Sequence, residues 1–194
     1  MTAEEELGRI TVLLGQAQAG RSDALQDVAD LVYPELVRRA ETQLHQYYGQ
    51  RNPTPTLEPA ALVNETYLRL IRQRSRYDSS GQFFAIASKL MLRVLMDYER
   101  ARGRKKRGGA LLRVSLSEAC DLAVADDVRI ETFAGVLERL EALDPRAADI
   151  IKARLLWGLS PAEIAESFAL STRTVERELK FAQRWLELEF ARET

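Results

Sequence analysis

With 194 residues, 46% of them hydrophobic, the chain suits one large domain or two small ones with packed cores, which excludes a disordered tail. No apolar run approaches the roughly 20 residues that cross a bilayer, and the acidic start MTAEEELGRI lacks a secretion signal's charge pattern, so the expectation is a cytoplasmic protein with no membrane partner. The net charge of -1 hides a segregation of signs: residues 1 to 68 hold 5 Lys/Arg against 10 Asp/Glu, residues 69 to 113 hold 13 against 3, and residues 114 to 194 hold 10 against 16.

Such a basic middle is what a polyanion would exploit, since neutralised phosphates release counterions; a solvated basic face is the alternative. Single Cys120 allows no internal disulfide, and with the lone His45 it cannot build a zinc site. Neither carries the local signature of a catalytic Cys/His pair, so packing or solvent suits both.

Taken in order, residues 3 to 18 read as a first helix, ended by Gly20. Ser22 caps the next, whose apolar positions Leu25, Val28, Ala29, Val32, Leu36 and Val37 recur at helical spacing, with Pro34 kinking or splitting the run before Leu44. The stretch YYGQRNPTPT, residues 47 to 56, is an exposed loop by its glycine and prolines. Helix restarts at about Pro59 and runs through Arg72, with Ala61, Leu62, Tyr67, Leu68 and Ile71 marking its apolar side. The loop Tyr77-Asp78-Ser79-Ser80-Gly81 breaks it.

A long helix follows from Gln82 to about Arg102, apolar through Phe83, Phe84, Ile86, Ala87, Leu90, Met91, Val94 and Leu95, and finishing in the basic tail ERARGRKKRGG. Residues 109 to 128 lose both basic character and periodicity and read as a linker.

The last stretch, SPAEIAESFALSTRTVERELKFAQRW from Ser160 to Trp185, is the most informative. Ser160 is an N-cap and Pro161 fits the first helical position, where its missing N–H is no loss. Ile164, Ala165 and Phe168 give a short apolar face, and Ser171 caps a second helix after a tight turn. There Val175, Leu179, Ala182 and Leu186 share one stripe, while Arg173, Arg177, Lys180 and Arg184 fall opposite at about 100° per residue. This is the layout of a helix-turn-helix whose second helix lies in a DNA major groove. An ordinary hairpin with a solvated charged face, to which Glu176 and Glu178 contribute, is the other reading. Ala169 stands where many such turns carry glycine, so the turn is expected to be strained or differently shaped.

The order AALVNETYLRLIRQ, YDSSG, QFFAIASKLMLRVLMDYERARGRKKRG, linker and C-terminal helix-turn-helix resembles a bacterial RNA polymerase sigma factor of the extracytoplasmic-function (ECF) group, over nearly the whole chain. The resemblance implies an all-α fold of two small helical domains. Residues 1 to 108 would be the polymerase-binding, promoter-melting unit, 109 to 128 the linker and 129 to 194 the helix-turn-helix unit, whose first two helices the resemblance implies at Ile130 to Leu143 and Pro145 to Trp157, with Leu137, Leu140, Leu143, Ile150, Ile151, Leu155 and Leu156 as its core and Trp157 and Trp185 packing there. It also implies that the helix from Leu57 to Arg72 docks on core RNA polymerase through Leu62, Asn64, Glu65, Leu68 and Arg69. Tyr77, Asp78, Ser79 and Ser80 would receive a base flipped from the minus-ten element, a place in the core being the competing reading for Tyr77, with Lys89, Arg93, Arg100 and Arg102 along the phosphates and Arg104 to Arg107 beyond. The minus-thirty-five element would be read by Ser171, Arg173, Thr174, Arg177, Lys180 and Arg184. The partners are then core polymerase and promoter DNA, with no cofactor and no catalytic residue.

One departure stands out. Where the family usually carries an acidic cluster before its L-V-x-E motif, this chain has Glu58-Pro59-Ala60-Ala61. The resemblance is closest to the subgroup that lacks this cluster and is linked to serine/threonine kinases. Phosphorylation of Thr56, or secondarily Thr54, would add about -1.5 to -2 charges where the carboxylates are missing. Thr56 as a plain helix cap is the competing reading. A stand-alone helix-turn-helix regulator would leave the basic middle and the YDSSG loop without a purpose, and an enzyme would need a nucleophile, metal cluster or phosphate loop that the sequence does not offer.

Overall fold

The computed structural model describes residues 59–72, 79–105, 113–114 and 128–193, with isolated helical positions at 12, 13, 16, 27, 33, 37 and 41. The loop at 47–56 with Thr54 and Thr56, and also His45, Tyr77, Asp78 and Cys120, lie outside the described residues, as does most of the expected N-terminal helical region.

Six helices form the described body: α1 (Pro59–Arg72), α2 (Ser80–Lys105), α3 (Ile130–Leu143), α4 (Pro145–Trp157), α5 (Pro161–Ser167) and α6 (Thr172–Glu193). The expected all-α class holds, with one small addition. Strands β1 (Arg113–Val114) and β2 (Val128–Arg129) pair antiparallel, Arg113 opposite Arg129 and Val114 opposite Val128. No described helix is long and apolar enough to cross a membrane.

Local chemistry sets the C-terminal boundaries. The Asp144 carboxylate accepts from the Ala147 N–H at 3.0 Å and Pro145 takes the first position of α4, so the break between α3 and α4 falls where a side-chain acceptor and a missing N–H coincide. Gly158 ends α4 in the left-handed region, φ 62°, and its N–H returns to the carbonyls of Ala153 and Arg154. Ser160 and Glu163 form a reciprocal capping box at the start of α5: Glu163 N–H donates to Ser160 Oγ at 3.2 Å and Ser160 N–H to Glu163 Oε2 at 2.6 Å.

The core is a single apolar cluster. Ile130, Phe133, Val136, Leu137 and Leu140 of α3 meet Ile150, Ile151, Leu155 and Leu156 of α4 and Val175, Ala182 and Leu186 of α6, and the cluster continues into Phe84, Leu90 and Met91 of α2 and Leu62 of α1.

Two expectations need correction here. Leu143, expected in the core, is 61% exposed; it is the last residue of α3 and, with Ala142, lies on the solvent side of the helix end. In α1 the buried stripe is Leu62, Val63, Thr66 and Leu70, not the one through Ala61 and Leu68, both of which are exposed. The helix carries two apolar stripes, and α2 packs on the one whose Thr66 hydroxyl can be satisfied internally, donating to the Leu62 carbonyl at 2.8 Å.

Candidate nucleic-acid interface

Helix α5 and helix α6 meet at a four-residue turn. Its tightest point is Ala169, a non-glycine residue at φ 53°, which bears out the strain expected at that position. The Leu170 N–H donates to the Ala165 carbonyl at 2.8 Å, closing the end of α5. Ser171 then caps α6 as expected: its hydroxyl accepts from the Thr174 N–H at 3.1 Å and its carbonyl from the Val175 N–H at 3.1 Å.

The two faces of α6 separate cleanly. Val175, Leu179, Ala182 and Leu186 are buried, as are Glu178 and Phe190, while Arg173, Arg177, Lys180 and Arg184 are exposed on the far side. Arg184 pairs with Glu187 one turn on, at 3.0 Å. Glu178 is not part of a solvated face. Its side chain is only 8% exposed and is gripped by Arg146 of α4 at 2.7 Å and by Arg177 at 3.3 Å, so it fastens α6 to α4 and restrains one cation of the outward face. A carboxylate one step from the buried stripe, with an arginine presented by a neighbouring helix, is satisfied only in the fold; spacing along α6 alone does not reveal it.

On α2 the expected loop ends early. Ser79 is the cap, its hydroxyl accepting from the Gln82 N–H at 3.2 Å and its carbonyl from the Phe83 N–H at 3.1 Å. Ser80 and Gly81 are helical. Ser80, expected at a surface that receives a base, is 2% exposed, with its hydroxyl donating to the Ser167 carbonyl at 3.4 Å. Farther along, Lys89, Arg93 and Arg100 are exposed and share one face. Lys89 is ion-paired to Glu141 of α3, and Arg100 lies 3.8 Å from Asp97. The side chains of Arg102 and of residues 104–107 lie outside the described residues.

On α1, Leu62, expected on the outward docking surface, is 1% exposed and belongs to the core. The outward strip is Ala61, Asn64 and Leu68 with Glu65 beside it. Arg69 is braced inward, donating through Nε to Glu65 at 2.9 Å and through a terminal nitrogen to Asp97 of α2 at 2.9 Å. The hydrogen bond to Glu65, opposed by partial burial and reinforced by Asp97, raises the guanidinium above its ordinary value, and the group is held as a fixed charge.

A family model for the ECF sigma factors matches residues 7–192, nearly the entire chain. The chain belongs to the ECF sigma factors. It is therefore a non-enzymatic transcription initiation factor that works with core RNA polymerase and promoter DNA to start transcription at chosen promoters. A search of curated proteins finds no match to this sigma factor.

Two residues that organise the sigma factor, Ser88 and Glu141, were not marked by the sequence. With Trp157, which was expected to pack in the core and does, they link α2 to α3 and α4 across long stretches of chain. The Glu163 half of the capping box did carry a sequence signal, the spacing Ser-x-x-Glu.

Proposed function

We propose that this sigma factor reads two promoter elements with two separate units. Residues 129–194 take the minus-thirty-five element, with α6 in the major groove and Ser171, Arg173, Thr174, Arg177, Lys180 and Arg184 facing DNA. Residues 1–108 take the minus-ten element, through Tyr77, Asp78 and Ser79 for the flipped base, with the buried Ser80 anchoring the start of α2 behind them, and Lys89, Arg93 and Arg100 for phosphates. Residues 109–128 join them. The observation that carries this reading is the exposed cationic face of α6 over a buried apolar stripe, N-capped by Ser171 behind a short α5. Basic groups on the outer face of a helix presented in this way reach phosphates and base edges together.

Core polymerase docks on the outward strip of α1, with Asn64, Glu65 and Leu68 in contact, Arg69 at its edge and Leu62 holding the strip in place. The chain falls in the subgroup without the acidic cluster, so the unmodified form binds polymerase weakly. Phosphorylation of Thr56, or secondarily Thr54, restores the missing negative charge, and a serine/threonine kinase is then a partner. The test is transcription in vitro with purified core enzyme and a template library randomised over the promoter. Specific initiation without any other sigma factor is expected, stronger with the phosphorylated chain. If transcripts require a second sigma factor, the stand-alone regulator replaces this reading. If the double substitution Thr54→Ala/Thr56→Ala keeps full promoter activity in the native host under inducing conditions, the phosphosite is wrong while the sigma reading survives.

A further inference from the structure

Along α6 the positions Val175, Glu178, Leu179, Ala182 and Leu186 keep the helical spacing that puts side chains on one inward stripe, and all of them are buried. Every one but Glu178 is apolar. Taking a carboxylate out of water is costly at a position where an apolar side chain of similar size would pack. Hydrophobic replacements of buried ion pairs are often neutral or stabilising, so packing alone gives no reason for a glutamate here. What the carboxylate holds supplies one.

The same oxygen of Glu178, Oε1, accepts from both guanidiniums, Arg146 at 2.7 Å and Arg177 at 3.3 Å. Arg146 stands in the first turn of α4, directly after the Asp144 cap and Pro145, on a helix buried in the core, so its backbone is a fixed point. Arg177 belongs to the outward face of α6 and stays 73% exposed. The other cations of that face are held differently. Arg173 and Lys180 make no ion pair with any described residue, and Arg184 pairs with Glu187 of its own helix. Among the described residues, Arg177 is therefore the outward cation of α6 that is tied to a group a second helix also holds.

We propose that Glu178 is a positioning residue for promoter reading: anchored by Arg146, it aims the Arg177 guanidinium so that Arg177 discriminates between base edges instead of settling on the nearest phosphate. The proposal rests on the placement of α6 in the major groove. An unrestrained arginine follows the strongest field in reach, which on DNA is the phosphate backbone, and that contact carries no sequence information. Base readout asks for the planar fork at one orientation. The bond to Glu178 uses Nη2 of Arg177, and a guanidinium has further N–H donors to offer the bases. A side chain already held near its bound orientation loses less freedom on binding, and rigid helices aim it better than a loop would. The carboxylate acts in a second way. Its charge, sheltered behind Arg177, offsets part of the pull of the cationic face on any DNA, so sequences without the right bases are held less well.

The test uses the full chain assembled with core polymerase. Wild type first selects its preferred minus-thirty-five sequence from the randomised library, and affinity is then measured across a salt series for duplexes carrying that sequence or a scrambled one. In Glu178→Gln, which keeps the shape and removes the charge, the ratio of the two affinities should fall about tenfold. Affinity for the scrambled duplex should rise, and its slope of log affinity against log salt should steepen by about 0.9, one phosphate gained. Arg177→Ala should lose discrimination by itself, and adding Glu178→Gln to it should lose no more, because Glu178 acts through Arg177. If Glu178→Gln loses its helical signal, Glu178→Met, which fills the site without a charge, carries the same expectation. A plain rivet between α6 and α4 gives another pattern, both affinities falling together with their ratio unchanged, and that result overturns the proposal. So do affinities that do not change at all, discrimination that survives Arg177→Ala, or a full further loss in the Arg177→Ala background. A wild-type complex with no preference at the minus-thirty-five element would instead remove the placement of α6 beneath the proposal, a result distinct from the others.

Discussion

At the level of single residues, Ala169 is the clearest case of strain accepted by the fold. An L-residue in the left-handed region costs about 1–2 kcal/mol, whereas a glycine would lose about 0.5–1 kcal/mol more backbone entropy on folding. The first effect is larger, so Ala169→Gly should stabilise the protein by about 0.5–1 kcal/mol, seen as a higher urea midpoint with an unchanged slope. Gly158, at φ 62°, is the mirror case, and Gly158→Ala should destabilise by about 1 kcal/mol in the same measurement. Ala169 was legible from its place in the turn. The burial of Glu178 was not, because the arginine that satisfies it, Arg146, comes from another helix.

Among the elements, α5 has seven residues, too few to stand without its caps. Ser160→Ala should cost about 1 kcal/mol and loosen the helix-turn-helix; amide exchange in α5 faster than in α6 would show it. The outward face of α6 makes a separate prediction. Arg173 and Lys180 make no ion pair with any described residue, so both are available to phosphates. Replacing both with alanine should weaken binding of the chain to duplex DNA and reduce the slope of log affinity against log salt by about 2, since each phosphate contact contributes about 0.9. Helix α1 shows where periodicity stops helping. Two apolar stripes were present, and only the approach of α2 chose Leu62, Thr66 and Leu70 for burial, leaving Leu68 outside.

For the molecule as a whole, the charge cluster at the junction of α2, α3 and α4 ties stability to pH. Burial pushes the Glu141 carboxyl up, but hydrogen bonds and charge from Lys152 and Lys89 outweigh it and hold the group below its ordinary value. A carboxylate lowered on folding stabilises above its unfolded pKa, about 4.3, and that contribution is lost as pH falls through the lower folded value. Asp149 runs the other way: burial is the main cause of its raised pKa, so its share improves as pH falls. Wild type should therefore exceed Glu141→Gln in stability at neutral pH, and the gap should close below about pH 4. Unfolding midpoints of the two proteins across an acid series check this.

Among the described residues, the sequence by itself determined the helix through Arg72, where α5 and α6 begin, which stripe of α6 is apolar and which is cationic, and the resemblance that led to the family. Those properties follow from caps, proline placement and periodicity, all of which act within a few residues. Tertiary structure alone decided that Ser80 and Gly81 continue α2 against α5, that Leu62 is covered and Leu68 is not, and that Ser88, Trp157, Lys89 and Glu141 meet. Such contacts join residues far apart in the chain, where close packing and the partnering of buried polar groups set the outcome and no local pattern can announce it.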